Sequence, residues 1–112
     1  MDRKVEIYDK ILSEWLADYV QNWTSDQIEY QFIHDSAHYH YQVVKIGWDG
    51  SVFRHIVIFH FQIKETGKIW IYVNRTDIEI GEELTLLGIP KSDIVIGFQP
   101  ASIRSYTGYA VA

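Results

Sequence analysis

The sequence contains no cysteine, which excludes disulfide bonds, thiolate metal ligands and cysteine nucleophiles. The absence fits a reducing compartment, and we expect a cytoplasmic protein. Long apolar runs are also missing, because the longest, such as residues 69–73, are too short to cross a bilayer. The opening residues 1–4 are not followed by the apolar stretch of a signal peptide. We therefore expect no contact with a membrane.

Basic residues are few. Ten Lys and Arg face 15 Asp and Glu, so the formal net charge is −5. Nucleic-acid binding draws much of its strength from Lys and Arg on phosphates, which makes the chain a poor candidate for binding DNA alone. A DNA-binding accessory factor with a local basic patch stays open as an alternative. That alternative needs six cations on one surface, namely Lys45, Arg54, Lys68, Arg75, Lys91 and Arg104.

Apolar and aromatic residues are abundant. The chain has 112 residues, of which 47% are hydrophobic and 15% aromatic. This length predicts a single domain over residues 1–112, with enough apolar side chains to form a modest core.

The first part of the chain has helical periodicity. Apolar residues recur at helical spacing from residue 4 to residue 20, with charged residues between them, so we predict an amphipathic helix over 4–20. Asp2 is the predicted N-cap.

Four extended segments follow. Alternation of apolar and polar residues predicts strands over 27–34 and 39–48, and a third over 52–64 is apolar on both faces at its centre. Asp49-Gly50 predicts a hairpin with a type I′ turn between the second and third strands. A fourth strand is predicted over 69–73.

The last part of the chain predicts a helix and a short extended piece. Thr76 and Glu79 have the spacing of a capping box, in which each side chain bonds the other residue's amide. The helix that follows is expected to end near Leu87, before Gly88. Residues 94–98 form a fifth extended segment, and the apolar tail after it is expected to be docked or held by a partner. We predict an α+β fold: an N-terminal helix, a meandering antiparallel sheet of four to five strands, a second helix and a short C-terminal extended segment.

The histidines invite a catalytic interpretation. Residues 34–40, HDSAHYH, bring His34, Asp35, His38 and His40 close in sequence, and a metal-dependent hydrolase built on them is the less favoured alternative. The spacing is no specific zinc signature, and a polar turn explains it as well. His55 and His60 are five apart on one strand, so we predict that they point to opposite faces. We therefore predict no catalytic, cofactor or metal residue.

The sheet is the more informative feature. It is expected to be apolar on both faces, while only two helices are available to cover it. An uncovered apolar face is typical of an association surface, and aromatic residues are enriched there. A protein-interaction module is the class that the residues favour.

Many short motifs, in order, resemble the XisI-like family of cyanobacterial fdxN element excision controlling factors. The motifs extend over nearly the whole chain and are Tyr41-Gln42, Gly47-Trp48-Asp49-Gly50, Gly67-Lys68-Ile69-Trp70-Ile71, Asn74-Arg75-Thr76-Asp77, Glu82-Glu83-Leu84, Gly88-Ile89-Pro90-Lys91-Ser92-Asp93-Ile94-Val95, Phe98, Arg104-Ser105-Tyr106-Thr107 and Ala110-Val111-Ala112. One departure is the stretch 74–79, where an acidic-Gly-Thr-Glu turn is more usual. The roles of Thr76 and Glu79 as caps are expected to survive it.

The resemblance implies a non-enzymatic accessory role in programmed excision of a DNA element during heterocyst differentiation. It also implies a protein partner, an XisH-like, endonuclease-related protein, and no catalytic residues come with it. We further expect a homo-oligomer. The candidate interaction or structural residues are Trp48, Asp49, Gly50, Trp70, Thr76, Glu79, Arg104 and Tyr106.

Overall fold

A long helix, α1, runs from Arg3 to Trp23 in the computed structural model, which describes residues 3–112. Its buried side chains recur every three or four residues and form one apolar stripe: Tyr8, Leu12, Leu16 and Tyr19. The helix predicted over 4–20 is confirmed, and its proposed N-cap, Asp2, lies outside the described residues. No helix among residues 3–112 has both the length and the apolar character needed to cross a membrane.

Five strands form one sheet in chain order. They are β1 (Ile28–Asp35), β2 (His40–Asp49), β3 (Val52–Ile63), β4 (Ile69–Asn74) and β5 (Ile94–Ile96). The three pairings among β1 to β4 are antiparallel, as predicted, whereas β5 pairs with β4 in parallel. The parallel pairing is possible because a long connection returns the chain to the starting end of β4. This connection holds the helix α2 (Ile80–Leu86) and a 3₁₀ turn (Lys91–Asp93). The α+β fold is thereby confirmed.

One face of the sheet, here called the inner face, packs against α1. Phe59 on β3 is fully buried there, with its ring centroid 4.9 Å from that of Tyr19 and 5.5 Å from that of Trp15. Tyr41 and Val43 on β2 are fully buried beside it. The helix stripe and these sheet side chains exclude water together, and they form the core that holds the fold.

Two bulges interrupt the sheet. Val43 pairs with Phe59 but Val44 pairs with Val57, so Ile58 is an extra residue on β3. A second irregularity follows His60, where β4 contains the extra residue. A bulge restarts the alternation of side chains one residue later. Two β3 residues on opposite sides of Ile58 that would point to opposite faces in a regular strand therefore point to the same face.

The β2–β3 hairpin is confirmed, but the type I′ turn is wrong. The two loop residues are Gly50 and Ser51, since Asp49 pairs directly with Val52. Gly50 has φ of +62°, while Tyr39 is the only non-glycine residue among 3–112 with positive φ. Positive φ at the first loop residue alone is the pattern of a type II′ turn.

The capping box is also wrong, and Asn74 is the cause. Its side-chain oxygen accepts hydrogen bonds from the backbone N–H and the hydroxyl of Thr76, at 3.0 and 2.7 Å. The Thr76 hydroxyl in turn accepts from Ile78 N–H at 3.1 Å. These local bonds compete with a helical start. The helix therefore begins only at Ile80, and Glu79 occupies the N-cap position without a side-chain bond.

The C-terminal tail is docked, as expected. A short helix, α3 (Ala101–Arg104), leads to Ala110, whose N–H donates to Ile94 O at 2.8 Å. Lys68 Nζ donates to Ala112 O at 2.6 Å. These bonds hold the tail along β5 and the start of β4.

A buried tyrosine makes the core sensitive to alkali. Tyr41 donates a hydrogen bond to Asp9 Oδ1 at 2.5 Å, and its burial, with this bond, raises its pKa above the usual 10.0. Because the folded pKa is the higher one, the stabilisation is complete below about pH 10 and is lost as the pH rises further. We expect Tyr41→Phe to flatten the alkaline fall of the unfolding free energy. Its cost at pH 7 is about 0.5–1.5 kcal/mol, the usual worth of a hydrogen bond.

The measurement is urea unfolding of both proteins from pH 7 to pH 11. Tyr106→Phe is the control, because Tyr106 is 83% exposed and its loss should leave the pH profile unchanged. An alkaline fall equally steep in Tyr41→Phe would show that Tyr41 is not its source.

Candidate interaction surface

The face of the sheet away from α1, here called the outer face, is not covered by a long helix. Tyr41 and Val43 point inward, so the even-numbered residues of β2 point outward. Their register partners on β3 share this face. The central part of the outer face comprises His40, Gln42, Val44, Ile46, Trp48, Phe53, His55, Val57, His60 and Gln62.

The tip of the β2–β3 hairpin carries an exposed apolar patch, here called the hairpin patch and formed by Trp48 and Phe53 on the outer face, with Val52 on the opposite side of the tip. Their exposed fractions are 59%, 48% and 51%. Trp48 and Phe53 are register partners with ring centroids 5.3 Å apart. Arg54 lies beside the patch in an ion pair with Asp49 at 3.6 Å. Two large aromatic rings next to each other in water are typical of a contact surface.

The end of the outer face away from the hairpin tip is polar. His40 Nδ1 lies 3.0 Å from His60 Nε2, and the side-chain amide of Gln42 lies 3.4 Å from His60 Nδ1. Tyr72 donates a hydrogen bond to Gln62 Oε1 at 2.7 Å. Burial is the main cause that lowers the pKa of His60, and the nearby His40 lowers it further. Both effects favour a neutral His60 ring at neutral pH.

His55 and His60 do not point to opposite faces as predicted. His55 pairs with Ile46 and His60 with Gln42, and both partners lie on the outer face. The extra residue Ile58 shifts the alternation between them. The His40–His60 pair was missed for this reason, since a sequence pattern with strict period two separates the two rings.

The side chains of the histidine-rich stretch, residues 34–40, do not converge on one point. His34 contacts Asp9 at 3.4 Å and stacks on Tyr41 at 4.6 Å, which places it toward α1. His38 pairs with Asp35 at 2.9 Å, while His40 lies on the outer face. Of the four side chains proposed for a hydrolase, Asp35 and His38 pair with each other, but His34 and His40 do not join them at one point.

Asp35 instead organises the turn between β1 and β2. One of its oxygens accepts hydrogen bonds from Ala37 N–H at 2.9 Å and His38 N–H at 3.2 Å. The hydrogen bond with the His38 ring, followed by these backbone bonds, holds the pKa of Asp35 below its usual range. Within residues 3–112, no three His, Asp or Glu side chains are placed to hold one metal ion.

Trp70 and Arg104 tie down the tail. The Arg104 guanidinium lies 4.9 Å from the Trp70 ring centroid, and its Nε donates to Gln99 O at 3.0 Å. Lys64 Nζ lies over the same ring at 3.9 Å. Both residues therefore have structural contacts, whereas Tyr106, at 83% exposure, is free to meet a partner.

The cations named for DNA binding divide between distant places. Arg54 pairs with Asp49 at the hairpin tip, and Arg75 Nε donates to Val57 O at 3.0 Å. Lys68 and Arg104 both contact the C-terminal residues. Lys68 precedes Ile69, which pairs with Ile63 at the far end of β3. The nine residue steps from Arg54 to Ile63 span about 30 Å at 3.3 Å per residue. These four of the six side chains do not gather on one compact surface.

The fold and this surface define a class: a small α+β domain whose sheet is covered by a long helix on one face and has no long helix on the other. The chain belongs to the XisI family, because residues 1–111 match the family described as XisI protein. None of the curated proteins matches it.

Two crystal structures resemble the chain along nearly its whole length. A XisI-like protein from Anabaena variabilis ATCC 29413 is 37% identical with a TM-score of 0.88, over 96% of this chain and 99% of that chain. The fdxN element excision controlling factor XisI from the same organism is 32% identical with a TM-score of 0.80, over 97% of this chain and 99% of that chain. The resemblance inferred from the sequence is thereby confirmed.

Proposed function

We propose that this chain is a non-enzymatic accessory protein in the controlled excision of a DNA element, and that it acts by binding a protein partner. Membership of the XisI family supports the process, since one similar structure is an fdxN element excision controlling factor. His34 lies toward α1 at Asp9, whereas His38 is paired with Asp35 at the turn, and this separation of the proposed ligands favours a binding role over catalysis.

The hairpin patch is the observation that carries the proposal. Trp48 and Phe53 expose more than half of their surface at the tip of a hairpin whose base is fixed by the core. A few aromatic residues supply most of the energy of a typical interface when they become fully buried. A rigid strand pair loses little conformational freedom on binding, which strengthens the association.

The proposed partner is an XisH-like, endonuclease-related protein, and a second copy of this chain is the alternative occupant. Co-expression without an affinity tag on this chain tests both, with the mass of the purified species as the measurement. A stoichiometric hetero-complex supports the proposal. A homo-oligomer that excludes the XisH-like protein assigns the surface to self-association, and a monomer with no complex contradicts both.

Replacing Trp48 and Phe53 together by serine should weaken partner binding by at least about 30-fold, which corresponds to about 2 kcal/mol for an interface hot spot. Both side chains are exposed, so the free energy of unfolding should change by no more than about 0.5 kcal/mol per site. Isothermal titration and urea unfolding measure the two quantities.

Leu86→Ser is the matched control, because Leu86 is an apolar residue at 82% exposure on α2, outside the sheet. It should leave binding unchanged. An equal loss of binding affinity in Leu86→Ser and in the double variant would show that general surface apolarity, and not the hairpin patch, drives the association. Duplex DNA in the same titration at low salt tests the DNA-binding alternative, since true phosphate contacts weaken steeply as salt is added.

A further inference from the structure

We infer that His40 and His60 form a site for one divalent transition-metal ion on the outer face. The two rings come from neighbouring strands, and their nitrogens, Nδ1 and Nε2, lie 3.0 Å apart. His40 is the last residue of the histidine-rich stretch 34–40, but His34, Asp35 and His38 are not ligands of this site, which does not depend on the proposed partner.

The nitrogen spacing suits one shared ion. Imidazole nitrogens bind Zn²⁺ at about 2.0–2.1 Å, so two of them at right angles around one ion are about 2.9 Å apart. Without metal, one ring donates its N–H to the other, and the pair shares a single proton. An ion would replace that proton and lie to one side of the line between the two nitrogens, once the donor ring carried its proton on the opposite nitrogen.

The surroundings prepare the rings to act as ligands. His40 and His60 are diagonal neighbours across the β2–β3 pairing, because His40 pairs with Gln62 and Gln42 with His60. The strand backbones therefore hold the rings in place, and both are half-buried. The Tyr72 ring lies against His60 with centroids 5.2 Å apart. Burial keeps the pKa of His60 below its usual value, so the ring is neutral, as a metal ligand must be.

Gln42 completes the arrangement as an outer partner. Its side-chain nitrogen Nε2 lies 3.4 Å from His60 Nδ1. Rotation of the amide by half a turn would place Oε1 there instead, where it would accept the Nδ1–H and leave the Nε2 lone pair of His60 free for the ion. Such second contacts fix the tautomer of metal-binding histidines and typically change affinity by about 10- to 100-fold.

The ligand class follows from the donors. Two imidazoles suit Cu²⁺, Ni²⁺ and Zn²⁺, and the general order of affinity places Cu²⁺ first. Since no third His, Asp or Glu within residues 3–112 joins the pair, water or a group from another molecule takes the remaining positions. We therefore expect reversible binding and no requirement of the metal for folding.

The test is titration of untagged protein with Cu²⁺ and separately with Ni²⁺. The expected result is one ion per chain, with affinity at least about tenfold lower in His60→Gln and in His40→Gln. His55→Gln and His38→Gln are matched controls and should bind like the parent protein. His55 lies on the same outer face but its register partner is Ile46, which cannot bind a metal ion. His38 is paired with the Asp35 carboxylate.

A second measurement separates ligation from loss of structure. The Cu²⁺ electron paramagnetic resonance spectrum should show coupling to two imidazole nitrogens, and to one in His60→Gln. Gln42→Leu should weaken binding by about tenfold while both ligands remain. Unchanged affinity in His60→Gln, or equal losses in the His55 and His38 controls, would overturn the site and indicate adventitious binding only.

Discussion

Replacing Phe59 with alanine should lower the free energy of unfolding by about 3–5 kcal/mol, the usual cost of removing a buried phenylalanine ring. Phe59 is fully buried at the centre of the sheet and contacts the rings of Trp15, Tyr19 and Phe61. Its removal leaves a cavity between α1 and β3 that these rings can fill only in part. A typical domain is stable by about 5–15 kcal/mol, so the loss is a large share of the total.

Urea unfolding followed by circular dichroism measures this loss. Phe53→Ala is the matched control, because Phe53 lies on the same strand but is 51% exposed. It should cost far less, since its ring leaves no cavity in the core. If both variants lost similar stability, the assignment of the inner face as the core would be wrong.

Gly81→Ala should destabilise the protein by about 1–3 kcal/mol, although alanine is the better helix former. A Cβ at Gly81 would lie 2.5 Å from the hydroxyl oxygen of Tyr109, so the Tyr109 ring would have to leave α2. Forcing extra atoms into a packed contact costs about this amount. Displacement of the Tyr109 ring would also weaken the docking of the C-terminal tail at the neighbouring Ala110.

A double-mutant cycle isolates this contact. In a Tyr109→Ala background the clash is absent, and Gly81→Ala should then become neutral or stabilise by up to about 1 kcal/mol, the helix preference of alanine over glycine. Chemical denaturation of the four proteins gives the coupling free energy. A destabilisation that persists in the Tyr109→Ala background would place the clash elsewhere.

Most of the fold could be predicted because its elements have strong periodic patterns. The stripe of α1 and the alternation in β1 depend on spacing alone, and spacing is visible in a sequence. The parallel pairing of β5 could not be read in this way. It depends on the path of the chain through α2, which is set by tertiary packing.

The local errors arise at two positions where a neighbouring residue interrupts a regular pattern. At Thr76 the side chain of Asn74 offers hydrogen bonds before the helix does. At Ile58 an extra residue is tolerated because the apolar side chain can still enter the core. A single bulge is nearly invisible in a strand that is apolar on both faces, yet it decides which histidines meet.

The candidate residues also divide by burial, which a sequence shows poorly. Trp70 and Arg104 hold the tail, whereas Trp48 and Tyr106 are exposed. All four are aromatic or long basic side chains, and such residues serve in packing and in interfaces alike. Their roles in binding stay predictions.

We propose that the outer face at the hairpin patch is the surface through which this protein binds its partner. Hydrogen exchange of backbone amides, compared between the free chain and the purified complex, is the test of this surface. We expect new protection in residues 46–55, with little change along α1. Protection confined to α1 or to α2, with the hairpin exchanging as fast as in the free chain, would contradict it.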